Sequence, residues 1–280
     1  MENLEGKTAV VTGAASGMGL AFSHRFAQAG MNVVMSDIEA PRLTEAANDV
    51  AAHGTRVIGV VTDVSVEESV DKLGATAFEA FEDVHIVCNN AGVAGELRGT
   101  GIRAADWKWV LDVNLWGVIH GHRVFLPHLI ERGEGHIINT ASMAGHIPGH
   151  SAYSASKWAV VGITMGLYQQ MKALDTGVGV SCLCPGWVNT EIANSDRNRP
   201  EWAAPSALTE LTAEQEAHRA FLHDVLRSGA DPVSVAEQVY DAVVKDKFWI
   251  FTDMDMVSLL EDKHDSIINN RNPEVRTLFS

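Results

Sequence analysis

Lys7-Thr-Ala-Val-Val-Thr-Gly-Ala-Ala-Ser-Gly-Met-Gly19 is the stretch on which the fold turns. Its first half, Lys7–Thr12, is a short apolar, β-branched run, the composition of a strand buried on both faces. Its second half puts glycine at 13, 17 and 19, and from Gly17 onward the pattern becomes helical. Glycine there permits a tight turn, close backbone approach and an uncluttered helix start. The free N–H groups and dipole of such a start hold a diphosphate. The spacing is Gly-x-x-x-Gly-x-Gly, not the Gly-x-Gly-x-x-Gly of the standard dinucleotide turn. Its place between strand and helix nevertheless favours nucleotide binding.

The same alternation continues along the chain. Strand-like runs fall at Lys7–Thr12, Met31–Asp37, Arg56–Thr62, Val84–Asn89, His136–Ala141, Gly179–Cys184 and Phe248–Thr252. Helical patterns separate them at about 17–30, 40–53, 66–82, 104–131, 152–174 and 232–246. Strands that alternate with helices pair in parallel through right-handed crossovers. The expected fold is α/β: a Rossmann-type, doubly wound, mostly seven-stranded parallel sheet with helices on both faces, in a single domain. Residues 185–231 are irregular, with a helix near 211–228, and predict a substrate lid at about 188–230. A helix followed by a tail is expected over 254–280.

Composition narrows the partners. The chain has 280 residues, 46% of them hydrophobic, and a formal net charge of −15. Such acidity disfavours nucleic acid or an anionic membrane surface, both of which need a basic patch. Cys88, Cys182 and Cys184 are odd in number and lie in apolar runs, as small buried hydrophobes do in a reducing compartment. Cys182 and Cys184 would share one strand face, but no further ligands accompany them, so no metal is expected. No apolar run reaches membrane-spanning length, and the expected location is cytoplasmic.

Asp37 ends the second strand, where a carboxylate accepts hydrogen bonds from the ribose hydroxyls of an adenosine. It would repel a 2′-phosphate, and neither Ser16 nor Ile38 supplies a compensating cation. NAD is therefore favoured over NADP, with Arg42 the nearby basic residue that argues the other way. The alternative for Asp37 is a cap for the helix near 40. Asp63-Val64, ending the third strand, is placed to flank the adenine. Farther on, Tyr153 and Lys157 are four apart at a helix start and so share one face. A cation beside a phenol lowers its pKa and makes it a proton donor and acceptor near neutrality. Alone, the pair is weak evidence, since a surface Tyr/Lys contact at this spacing is commoner than a catalytic one.

Thr12–Gly19, Asn89-Asn-Ala-Gly92, Asn114, Ser142, Tyr153/Lys157 and Pro185-Gly-Trp-Val-Asn-Thr190 stand in the order and at about the spacing of the short-chain dehydrogenase/reductase family, which the chain resembles from Lys7 to about Thr190. The resemblance implies Tyr153 as general acid/base and Lys157 as the ligand of the nicotinamide ribose. It implies that Ser142 orients the substrate oxygen and that Asn114 holds a relay water. Gly13, Ser16, Gly17, Met18, Gly19, Asp37, Ile38, Asp63 and Val64 would hold the diphosphate and adenosine. Asn90, Ala91, Gly92, Pro185, Gly186, Val188 and Thr190 would border the nicotinamide half. Family members are commonly homotetramers or homodimers, packed through helices like those at 104–131 and 152–174. The second carries the stripe Trp158, Val161, Met165 and Tyr168, which suits either such an interface or the sheet.

Met143, His146, Ile147 and His150, with Trp187, Ile192 and Trp202, suggest a largely apolar pocket for a hydrophobic secondary alcohol or ketone. Arg197 and Arg199 leave an anionic substrate open. Asp106-Trp-Lys-Trp109 reads as a capped helix start. The expected activity is NAD-dependent alcohol/ketone interconversion. The alternatives are a non-catalytic dinucleotide-binding protein and an isomerase or lyase of the same fold.

Overall fold

Alternate residues of one strand divide between two cores. In β1 (Thr8–Thr12), Ala9 and Val11 face one apolar cluster while Val10 faces another, and all three are fully buried. This is why the strand reads as an unbroken apolar run rather than an alternating one. In the computed structural model, which describes residues 1, 3–95, 102–204 and 213–273, six further strands join it. They are β2 (Asn32–Asp37), β3 (Val57–Val61), β4 (Ile86–Asn89), β5 (Gly135–Thr140), β6 (Val178–Cys184) and β7 (Trp249–Phe251). All pair in parallel, in the order 3-2-1-4-5-6-7.

The helices among the described residues are α1 (Gly17–Gln28), α2 (Ala40–Ala51), α3 (Glu67–Phe81), α4 (Ala104–Leu111), α5 (Gly117–Arg132), α6 (Ala152–Ala173), α7 (Ala213–Arg227), α8 (Pro232–Lys245), α9 (Met254–Val257) and α10 (Leu259–Ile268). Phe22 and Phe26 of α1, Val50 of α2 and Val239 of α8 pack on one face of the sheet. Leu73 of α3, Phe125 of α5 and Met171 of α6 pack on the other. Truncating Phe26, which is fully buried, to alanine would cost about 3–5 kcal/mol.

The chain runs outward from β1 to β3, then returns to place β4 on the other side of β1. The two halves of the sheet thus diverge at β1 and β4, leaving a crevice at their carboxyl ends, where open α/β sheets bind ligands.

The expected helix over 104–131 is broken. α4 ends at Leu111, a π-helical segment spans Asp112–Trp116, and α5 continues from Gly117. The widened turn contains Asn114, and such turns concentrate at functional sites. The apolar stripe on α6 also divides: Val161 enters the core and Tyr168 packs against Phe248, whereas Trp158 and Met165 remain exposed. The tail expected at the C-terminus lies, from 274 onward, outside the described residues. So does the start of the helix expected near 211–228, which is described from Ala213.

Candidate active site

A parallel sheet brings the ends of distant strands to one edge, and the candidate residues collect there. Gly13 follows β1, Asp37 closes β2, Asp63 follows β3, Asn90 follows β4, Ser142 follows β5 and Pro185 follows β6. All line one cavity of about 1000 Å³.

At the β1 end the walls are backbone. Gly13 and Gly17 have φ of +65° and +54°, in the left-handed region. A Cβ at Gly19 would lie 2.1 Å from the Gly13 carbonyl oxygen and 2.7 Å from Asn90 Nδ2, so only glycine lets α1 start this close to the turn. Ser16 precedes α1 in an extended conformation and makes no side-chain cap. Ser16, Gly17 and Met18 border the cavity, and a helix start with free N–H groups is a place where an anion can be held.

Asp37 is not the cap of α2; Glu39 occupies that position. The Asp37 carboxylate instead accepts from Ala15 N–H at 3.0 Å and from Glu39 N–H at 3.0 Å, which fixes it against the glycine turn. Arg42, the neighbouring cation, pairs with Glu39. Asp63 Oδ1 accepts from the amide and hydroxyl of Ser65, and Val64 O accepts from His120 Nδ1 at 2.9 Å.

The floor of the crevice is stitched by side chains. Thr12 Oγ1 accepts from the backbone N–H groups of Asn90 (2.9 Å) and Ala91 (3.0 Å), and Asn90 Nδ2 donates to Thr12 O. Thr140 Oγ1 donates to Asn90 Oδ1, joining β1, β4 and β5. Asn114 is buried: its Oδ1 accepts from Val93 N–H at 2.8 Å, and its Nδ2 donates to Val93 O and Ser156 Oγ. It braces the chain after Asn90-Ala-Gly92 and is no helix-surface residue.

Ser151 caps α6 by accepting from Ser154 N–H, and Tyr153 and Lys157 leave the first turns together. Lys157 Nζ lies 5.6 Å from the Tyr153 ring centroid and donates to Thr140 O at 2.8 Å. Ser142 Oγ donates to Pro185 O at 3.4 Å and accepts from Ala144 N–H at 3.1 Å. Contrary to the lowering expected beside Lys157, burial raises the phenol pKa, and the nearby Ser142 hydroxyl only partly offsets that. Burial likewise depresses the Lys157 ammonium to about 8, with the buried thiols Cys182 and Cys184 pulling weakly the other way. Both groups therefore resist charge, as a water-poor pocket dictates.

Other expectations need correction. His146 does not line the cavity. Its ring contacts Cys184 Sγ (3.3 Å), Trp249 and Phe251, and burial with the charges of Lys263 and His264 lowers its pKa to about 4. The 3-10 turn Met143–Gly145 directs it inward while Met143 and Ile147 face the site. His150 is exposed and does not border the cavity. Trp187, Ile192 and Trp202 do. Asp106 is not a cap, since Arg103 holds that position. It forms a buried ion pair with Arg199, whose guanidinium also reaches Asp196 and lies 4.4 Å from the Trp109 centroid. Arg197 is engaged by Glu39, so both arginines of this segment are paired within the protein. The absence of a side chain at Gly186 admits Asp253, whose Cβ would lie 2.7 Å from an added Cβ.

Several contributors carried no signal in the sequence. Ser195 Oγ accepts from Ala94 N–H, tying the 191–198 turn to the chain after β4. Trp109, Val113, Leu222, Leu226 and Met256 complete an apolar wall. Among the described residues no group of three or more His, Cys, Asp or Glu side chains is placed to hold a metal ion, and no helix is long and apolar enough to cross a membrane.

The short chain dehydrogenase family matches residues 7–201. The chain is 37% identical over 270 residues to 1-deoxy-11-beta-hydroxypentalenate dehydrogenase of Streptomyces exfoliatus, across 95% of this chain and 90% of that protein. It is 36% identical over 210 residues to 3beta-hydroxysteroid dehydrogenase 2 of Eggerthella lenta, across 74% and 80% respectively. A crystal structure of a short chain dehydrogenase/reductase from Burkholderia phymatum in complex with NAD superposes with a TM-score of 0.93 at 39% identity, over 99% of each chain. The protein belongs to the short-chain dehydrogenase/reductase family of NAD(P)-using oxidoreductases.

Proposed function

We propose that the protein is an NAD(H)-dependent oxidoreductase that interconverts a hydrophobic secondary alcohol and its ketone. The carrying observation is that Ser142, Tyr153 and Lys157 meet in one cavity, between a glycine-lined crevice and an apolar wall. The crevice fits a dinucleotide where added Cβ atoms at Gly13 and Gly19 would collide with backbone. Gly13, Ser16, Gly17, Met18 and Gly19 would hold the diphosphate. Asp37 and Ile38 would meet the adenosine ribose, and Asp63 and Val64 the adenine. Asn90, Ala91, Gly92, Pro185, Gly186, Val188 and Thr190 would border the nicotinamide half. NAD is preferred because the Asp37 carboxylate would face the ribose hydroxyls while both neighbouring guanidiniums are drawn to the Glu39 carboxylate.

The bound coenzyme supplies the hydride acceptor or donor. Ser142 positions the substrate oxygen beside the Tyr153 phenol. In reduction Tyr153 gives that oxygen its proton, and the raised pKa keeps the phenol in the protonated form this step starts from. In oxidation Tyr153 takes the alcohol proton, aided by the Lys157 charge. A charge about 6 Å from the ring is worth roughly 3 kcal/mol at an effective dielectric of 20. Asn114 supports the relay through its main chain, since its side chain already serves Val93 and Ser156. Trp187 and Trp202 wall the substrate; His146 has no direct part.

NADH absorbance followed against a panel of hydrophobic secondary alcohols and ketones tests the reading. Steady NADH change supports it. Coenzyme binding without turnover would indicate a binding protein, and product without net NADH change an isomerase or lyase. Tyr153→Phe is expected to lose about 10³-fold in kcat with NAD affinity kept; a variant retaining most of its turnover removes Tyr153 from this role. The assembly proposed is a homodimer or homotetramer, helped by the exposed Trp158 and Met165 of α6, and sedimentation of a monomer at micromolar concentration would refute it.

A further inference from the structure

Glu39 lies two residues beyond Asp37 and is tied to it, since its N–H donates to Asp37 Oδ1 at 3.0 Å. It stands at the cap position of α2, yet its side chain does not cap the helix. The carboxylate instead gathers donors from its own helix and from one distant turn. Arg197 Nε and Nη2 lie 2.8 and 2.7 Å from Oε1, and Asn198 Nδ2 donates to the same oxygen at 2.9 Å. Arg42 Nε lies 3.4 Å from Oε2. Arg197 Nη1 also donates to the carbonyls of Glu191 (3.3 Å) and Asn194 (3.0 Å), so its guanidinium frames the turn from which it projects. Asp37, Ile38, Glu39, Arg197 and Asn198 all line the cavity, at the adenosine end assigned above.

A guanidinium beside the ribose-binding carboxylate is the group that accommodates a 2′-phosphate. Two lie here among the described residues: Arg197 is hydrogen-bonded to the Glu39 carboxylate, and the half-exposed Arg42 is ion-paired with it at 3.4 Å. Burial works against that carboxylate's charge, but the bonds from Asn198 and Arg197, with the charges of Arg197 and Arg42, hold its pKa below the ordinary value. It is therefore ionised throughout the neutral range. Because these pairs are partly exposed, their value lies in arrangement more than in net stability.

We propose that Glu39 is a specificity-determining residue: its carboxylate withholds Arg42 and Arg197 from a 2′-phosphate and uses Arg197 to fasten the 191–198 turn over the adenosine end. Coenzyme choice and the seating of this turn then rest on one side chain. The inference rests on the assignment of Asp37 to the adenosine ribose, and the experiment separates the two.

Dissociation constants for NAD⁺ and NADP⁺ are measured by titration calorimetry for the unaltered protein, Glu39→Gln, Glu39→Ala, the triple variant Glu39→Ala/Arg42→Ala/Arg197→Ala, and Asp37→Ala. Freeing the guanidiniums should raise the affinity for NADP⁺ relative to NAD⁺ about tenfold in both Glu39 variants, and the triple variant should lose that gain. A purely structural latch would weaken both coenzymes together and leave the ratio flat. A ratio within about twofold of the unaltered protein in folded Glu39→Gln, which keeps the side chain's volume and its bond to Asn198, therefore overturns the proposal. So does a gain that survives in the triple variant. If Asp37→Ala shifts the ratio toward NADP⁺ while Glu39→Gln does not, only the role of Glu39 falls. If neither shifts it, the ribose assignment falls as well.

Discussion

At the β1–α1 end of the cavity, position is set by backbone; at the 191–204 end it is set by charge. The first end hangs from paired central strands, and its defining residues are those whose side chains are missing, Gly13, Gly17 and Gly19. The second contains only short 3-10 turns and is fastened by Arg197 to Glu39, by Arg199 to Asp106 and by Ala94 to Ser195. A backbone wall cannot yield to a new atom, whereas an ion-paired wall fails only when a charge loses its partner. The first kind suits a ligand whose shape is fixed, and the second a wall whose seating one charge can alter.

The largest expected effect lies at the backbone end. Gly19→Ala puts a carbon 2.1 Å from the Gly13 oxygen, and neither the strand turn nor Asn90 has room to retreat. NAD affinity should fall roughly 100-fold, about 2.7 kcal/mol, by calorimetry; an unchanged constant would mean that this wall is softer than the charged one. At the other end, Asp106→Ala leaves the buried Arg199 with Asp196 alone. Chemical denaturation should show a loss of about 3 kcal/mol. Adding Arg199→Met should restore more than about 1 kcal/mol by removing the stranded charge; a purely additive double variant would separate the two groups.

Lys157 sits where the two ends meet and links stability to pH. Its folded pKa of about 8 is below the ordinary lysine value, so the burial cost is fully present below pH 8. Stability then rises with pH between about 8 and 10.5, because there the unfolded chain binds more protons. Lys157→Met should stabilise the unliganded protein at pH 7 by about 2 kcal/mol, after allowing for the lost bond to Thr140 O, while abolishing turnover. The gain should shrink across that window, and a gain independent of pH would assign it to packing. The smallest effect concerns His146. With a pKa of about 4 it should show no titration between pH 5 and 8 by NMR; a midpoint near 6.5 would place its ring in water rather than against Trp249.

Legibility in the sequence followed the same division. The glycine turn and Asp37 announce themselves because their chemistry demands particular residue types at fixed local spacing, and the strands were placed within about two residues. The π segment around Asn114 was not visible, since one extra residue per turn alters no composition. His146 was misplaced because two neighbouring positions in a tight turn point in opposite directions. The partners of Arg197 and Arg199 lie 158 and 93 positions away, beyond the reach of any local pattern.

By itself the sequence determined the parallel α/β architecture and the place of the glycine turn, because periodicity and glycine placement are properties of neighbours along the chain; Ser142, Tyr153 and Lys157 were marked as candidates by the family resemblance rather than by spacing. Tertiary structure alone decided which charges are free, which way His146 faces and how buried the phenol and ammonium are. Those depend on solvent exclusion and on distant side chains brought together only when both faces of the sheet are covered.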